Sequence, residues 1–186
     1  MKKLLTIFTA FYFTTSAFAA DVQAWKIIPA QSKISFKVAQ DGSSVNGSFA
    51  KFDGKINFDK KQLADSKVEI NVDVTSIGAS PPEASGNVQN PEWLSTKAFP
   101  KATFTADKFT YLGKNNFRAD GNLTIKGKVI PTSLEFTFES TSPRKAIATG
   151  KTTIKRSDFG VGNSDVSKAN GVKDLVEISF VISAEK

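Results

Sequence analysis

Residues 32–59, SKISFKVAQDGSSVNGSFAKFDGKINFD, decide how the chain folds. Ile34, Phe36 and Val38 alternate with Lys33, Ser35 and Lys37. The alternation resumes at Val45, Gly47 and Phe49 after Asp41-Gly42, and again at Ile56 and Phe58 after Asp53-Gly54. A period of two marks strands with one apolar and one wet face, and Asp-Gly between such runs marks a hairpin or a bend. A strand pair with one apolar face cannot cover it alone, so the rest of the chain must supply a sheet that curls over it.

The same period recurs along the chain. Trp25-Lys26-Ile27-Ile28 begins a strand that Pro29 interrupts. Val68, Ile70, Val72 and Val74 form the cleanest alternation, and Ala102, Phe104 and Ala106 the next. Phe117 to Ile125, Leu134 to Phe138, Ala148 to Ile154 and Val176 to Ile182 follow. Roughly eight or nine strands at hairpin spacing predict an all-β domain, either a sandwich or a closed antiparallel barrel. Residues 77–98 break the rhythm. Ser80-Pro81-Pro82 stops a strand, because proline cannot donate to a ladder. Asn90-Pro91-Glu92 has the grammar of a helix start. This one long crossover is expected to hold short helical turns, as a lid or as a plug for one barrel end.

The N-terminus has a different character. Met1-Lys2-Lys3 precedes the apolar run 4–18, and Ala17-Phe18-Ala19 has the small-x-small pattern of a signal-peptidase site. The expectation is a cleaved leader over 1–19, a mature domain over 20–186 and a periplasmic location. No later run of about 18 apolar residues could span a bilayer as a helix. With Lys2 and Lys3 removed, 23 basic residues face 18 acidic ones, and the lysines are dispersed along strands. A nucleic-acid surface would cluster them with aromatics, so no nucleic-acid partner is expected; mild attraction to anionic head groups is compatible with this charge.

Chemistry is constrained by what the chain lacks. It has no His and no Cys. That removes Ser–His and Cys–His nucleophiles, most zinc sites and any disulfide. The strand carboxylates Asp73, Asp107, Glu135 and Glu139 fall on predicted wet faces rather than as a converging pair, and no Gly-rich phosphate loop precedes a helix. An enzyme is not expected, nor a metal or a resident cofactor.

Several short pieces, in one order, resemble the YceI-like family. They are Trp25, Ser32-x-Ile34-x-Phe36-x-Val38, Val45-x-Gly47-x-Phe49-x-x-Phe52-x-Gly54-x-Ile56-x-Phe58-Asp59, and Phe99-Pro100-x-Ala102-Thr103-Phe104. Ser66-x-Val68-x-Ile70-x-Val72, Ser76-Ile77, Gly121-Asn122-Leu123-Thr124-Ile125-Lys126-Gly127 and Lys155-Arg156-Ser157-Asp158-Phe159-Gly160 complete the set. The resemblance implies an eight-stranded antiparallel lipocalin-like barrel with a short helical crossover. It also implies an apolar cavity for an isoprenoid, quinone-like or other long-chain amphiphile, bound as cargo. The candidate ligand-binding wall is then Phe36, Val38, Phe49, Phe52, Ile70, Val72, Phe104, Leu123, Phe136, Phe138, Ile178 and Phe180. Arg156 is a candidate for an anionic head group, or else pairs with Asp158 to fix a turn that Gly160 permits. Trp25 is expected to plug one end. Ile28, Gln31 and Gln40 stand where many relatives carry Asp or His, so no head-group or metal recognition carries over at those positions.

Three functions fit the sequence. The leading one is a periplasmic lipid carrier with transient contact to a membrane or membrane enzyme, as a monomer or a homodimer. A small outer-membrane barrel shares the strand period, but Trp25, Trp93 and Tyr111 are too few for two aromatic girdles. A barrel filled with side chains, acting as an interaction or stress scaffold, would bind nothing inside. Small residues such as Ala148 and Gly150 weigh against it if they face inward.

Overall fold

The computed structural model describes Val22 and residues 24–164 and 171–186. The expected leader and its cleavage site lie outside the described residues. Eleven strands follow one another: β1 (Ala24–Ile27), β2 (Lys33–Gln40), β3 (Ser43–Phe49), β4 (Phe52–Asn57), β5 (Lys67–Asp73) and β6 (Ile77–Ser80), then, after helix α1 (Pro82–Gln89), β7 (Lys101–Gly113), β8 (Asn116–Ile125), β9 (Lys128–Ser142), β10 (Lys145–Lys155) and β11 (Val172–Glu185).

Strand β1 pairs antiparallel with both β4 and β11. The ring β1-β4-β5-β7-β8-β9-β10-β11 is therefore a closed barrel of eight strands. Closure removes the exposed edges that an open sheet leaves. The strands β2, β3 and β6 continue β1, β4 and β5 beyond breaks in each, so three of the eight staves are bent. Pro29 causes the first break, since it has no N–H to give. Ser32 pins that break: its Oγ bonds the Ile28 carbonyl at 2.8 Å and accepts from Ser183 N at 3.0 Å. Asp73 caps the break between β5 and β6 by accepting from Thr75 N at 3.0 Å.

On its far side β6 has no strand partner among the described residues. There the barrel wall is completed by α1 and residues 90–100. The expected helix start at Asn90 is not where the helix lies. The helix begins at Pro82, and Asn90 ends it as the C-cap. A helix begun at Asn90 would send Leu94 N back to the Asn90 carbonyl. Instead Leu94 N reaches Val88 O and Ser95 N takes Asn90 O, both at 2.9 Å. Pro82 at the first helical position carries the same start signal, and the adjacent strand end selects it.

Two interior clusters mark the two ends of the barrel. At one, Phe58 sits at the centre of four phenyl rings, Phe109, Phe117, Phe136 and Phe138, with centroids 4.9–5.7 Å away. Trp25 packs edge-on to Phe138 and its indole N–H bonds the Phe58 carbonyl at 2.8 Å. Ser66, fully buried, accepts from Asp59 N and donates to Gln62 O, stitching the 58–66 loop across that end. At the other end Phe159, Val161 and Leu123 gather beneath Trp93 and Leu94.

Candidate functional site: an apolar cavity inside the barrel

Between the two ends lies a cavity of about 510 Å³. This falls within the roughly 300–1,000 Å³ of ordinary ligand pockets. Its wall follows from strand pairing. Residues paired across strands share a face, so Phe36 opposite Ile178, Ile34 opposite Phe180, and Ile70 opposite Phe104 all point inward together. Phe36, Ile70, Val72 and Phe180 face the lumen yet are only half-buried. Inward side chains of a packed core would be almost fully buried. The barrel is hollow, and the filled-barrel alternative fails on that point.

Every candidate wall residue lines this cavity except Phe52. Phe52 opens β4 directly after the break at Ala50-Lys51, on the same even-numbered face as Ile56 and opposite Val72, but lies half-buried outside the cavity lining. Trp25 is buried at the aromatic end and touches the cavity from there. Sequence reasoning missed two groups. Phe109 is out of phase with Ala102, Phe104 and Ala106, and reaches the lumen only because the ladder slips between Ala106 and Lys108. The signal was there, since an unbroken period would have pointed Lys108 inward. Val88, Trp93 and Leu94 come from the crossover and carry no strand period.

Polarity is arranged along the cavity. The side chains that bring amide or charged groups to its lining are Gln40, Asn87, Asn90, Glu92 and Arg156. All belong to the crossover end. Arg156 is buried, and it does not pair with Asp158 as expected. Its Nη1 donates to Val161 O at 2.7 Å and to Gly162 O, Nη2 to Val172 O at 3.0 Å, and Nε to Lys173 O at 3.1 Å. The Trp93 ring lies 5.5 Å from its guanidinium carbon. The fork shape of guanidinium suits this clamp, which joins the end of β10 to the start of β11. Gly160, at φ +69°, makes the turn, as the sequence suggested. Asp174 rather than Asp158 supplies the carboxylate here, accepting from Ser157 N and Oγ at 3.0 and 2.8 Å.

The crossover is tied down. Lys126 Nζ donates to Pro91 O and Gly160 O at 2.8 and 3.0 Å, and Gly162 N to Glu92 O at 2.9 Å. Glu92 also accepts from Ser164 N at 2.9 Å. These bonds suit a plug with a fixed seat better than a freely swinging lid. Among the described residues no group of three His, Cys, Asp or Glu side chains could hold a metal ion.

A family model for the YceI-like domain matches residues 25–184. The chain belongs to the YceI-like family. A UPF0312 protein of Vibrio campbellii is 30% identical over 138 residues, which is 71% of this chain and 73% of that protein. The YceI-like barrel is similar to that of BcnA from Burkholderia cenocepacia, with TM-score 0.79 and 29% identity, covering 84% of this chain and 98% of BcnA. It is also similar to a polyisoprenoid-binding domain from Saccharophagus degradans, with TM-score 0.70 over 87% of this chain and 97% of that domain. At 13% identity the second likeness shows the fold alone. The closed eight-stranded antiparallel barrel with one short helix is therefore common to this chain and its structural neighbours.

Proposed function

We propose that this YceI-like protein is a periplasmic carrier that shields a long-chain isoprenoid, quinone-like or similar amphiphile from water. The observation that carries the proposal is the hollow lumen, about 510 Å³ and walled by Phe, Val, Ile and Leu from every stave. An apolar cavity offers water few partners and stays dry until an apolar guest fills it. Each guest methylene removed from water contributes about 0.8 kcal/mol, so a tail needs few polar contacts to be held. The polyisoprenoid-binding domain of S. degradans, built on the same barrel, agrees with this choice of cargo. The wall's polarity is opposite to that of a membrane-spanning barrel, whose interior is polar and whose outside is apolar. Here Lys55, Glu69 and Asn71 stand on the outer faces of β4 and β5, while Ile56, Ile70 and Val72 line the inside. Export through the 1–19 leader would place the carrier in the periplasm, where brief contact with a membrane would load and unload it.

Mass spectrometry of organic extracts from natively purified protein tests the cargo. A co-purified isoprenoid, together with uptake of a fluorescent prenyl probe, is expected. Absence of both would end the carrier proposal. Release by osmotic shock without detergent tests the location.

A further inference from the structure

We propose that the cavity is single-ended and measures its guest: an amphiphile enters tail first beside α1, and its far end stops against a floor centred on Phe58. This rests on the lipid-binding function above and adds to it the guest's orientation and a length limit. Among the described residues that line the cavity, only Asn87 and Asn90 are exposed, which puts the opening at the C-terminal end of α1. The other amide and charged lining groups, Gln40, Glu92 and Arg156, lie at the same end, and the hydroxyls of Thr103 and Thr152 are spent on Asn71 Oδ1 and the Ser133 carbonyl. Toward the opposite end the lining becomes Trp25, Phe58, Phe109, Phe136 and Phe138, and the one polar atom among these side chains, the Trp25 indole nitrogen, is spent on the Phe58 carbonyl. A head group therefore finds amide and charged partners near the opening, and a tail meets apolar surface at the far end.

The floor is solid. Phe58 is 3% exposed, its ring packs against four others, and Phe117 fills the space behind at 1% exposure. The loop stitched by Ser66 closes what lies beyond. Tail carbons that fit above this floor leave water, and each adds about fourfold to affinity. Carbons beyond that length stay outside and add nothing.

The test is displacement of a fluorescent prenyl probe by all-trans prenyl alcohols of rising length, from geraniol to solanesol. Affinity should climb steeply with each isoprene unit and then break to a plateau or a fall. Phe58→Ala should move that break to a longer alcohol. Phe109→Leu, a milder change at the same floor, should move it the same way if the first variant does not fold. A smooth climb across the whole series, or a break that both folded variants leave in place, overturns the length limit while the lipid-binding function stands. Failure of every alcohol to displace the probe removes both.

Discussion

Glycines 47, 121 and 150 show how a single residue can mislead when only its size is known. Small residues in strands suggest free space in the lumen. In the folded barrel a Cβ at Gly150 would lie 2.6 Å from Phe180 Cζ and 2.8 Å from Phe136 Cβ, and one at Gly121 would meet the Thr105 carbonyl and Ala106. Neither glycine lines the cavity, whereas Ala148 does and is only half-buried. The two positions should therefore part company. Gly150→Leu is expected to lose about 1–3 kcal/mol of stability through overpacking. Ala148→Leu should stay within about 1 kcal/mol in urea titration and lose probe uptake instead. Equal destabilisation by both would contradict a hollow lumen. At Arg156 four carbonyls depend on one side chain. Arg156→Met would leave buried acceptors unsatisfied and should cost at least about 2–3 kcal/mol. Arg156→Lys, which has fewer donors and no fork, should recover only part of that.

Among the elements, the crossover was the hardest to anticipate. Its helix-start signal occurs twice, at Pro82 and at Pro91, and local grammar cannot choose between them. The choice follows from β6, which pairs with β3 up to Ser80 and so delivers the chain to Pro82 at the barrel wall. Trp93 then lies over Arg156 and lines the cavity. Trp93→Ala should weaken the seat of the crossover. The expected outcome in stopped-flow displacement is faster release of a bound prenyl probe, with a stability loss below the about 3–5 kcal/mol typical of a fully buried Trp. Unchanged release would show that the guest leaves by another route.

For the whole molecule, acid is the informative variable. The Asp73 carboxyl is held below its ordinary pKa chiefly by the Thr75 hydroxyl, and Asp120 chiefly by the Ser133 hydroxyl with help from Arg118. A depressed carboxyl prefers the folded state only when ionised. Its contribution is full above the unfolded pKa of about 3.9 and is lost as pH falls through the lower folded value. Stability should therefore hold near neutrality and fall below about pH 4. Asp120→Asn should shrink the difference between urea midpoints on the two sides of that pH. Both groups lie at the surface, so the effect should be modest and should weaken further in salt.

The strand period was local information, and it was enough for the all-β class, the inward apolar rows and most of the cavity wall. Side chains alternate along a strand whatever the strand pairs with, so Phe36, Val72 and Phe180 could be placed without knowing their neighbours. Two facts depended on pairing between distant segments. Closure came from β1 binding both β4 and β11, and the slip at Asp107 turned Phe109 inward. Hollowness belonged to this second kind. Whether an apolar face meets another side chain or empty space depends on the barrel's girth, and the number of staves that close together sets that girth, not any one of them.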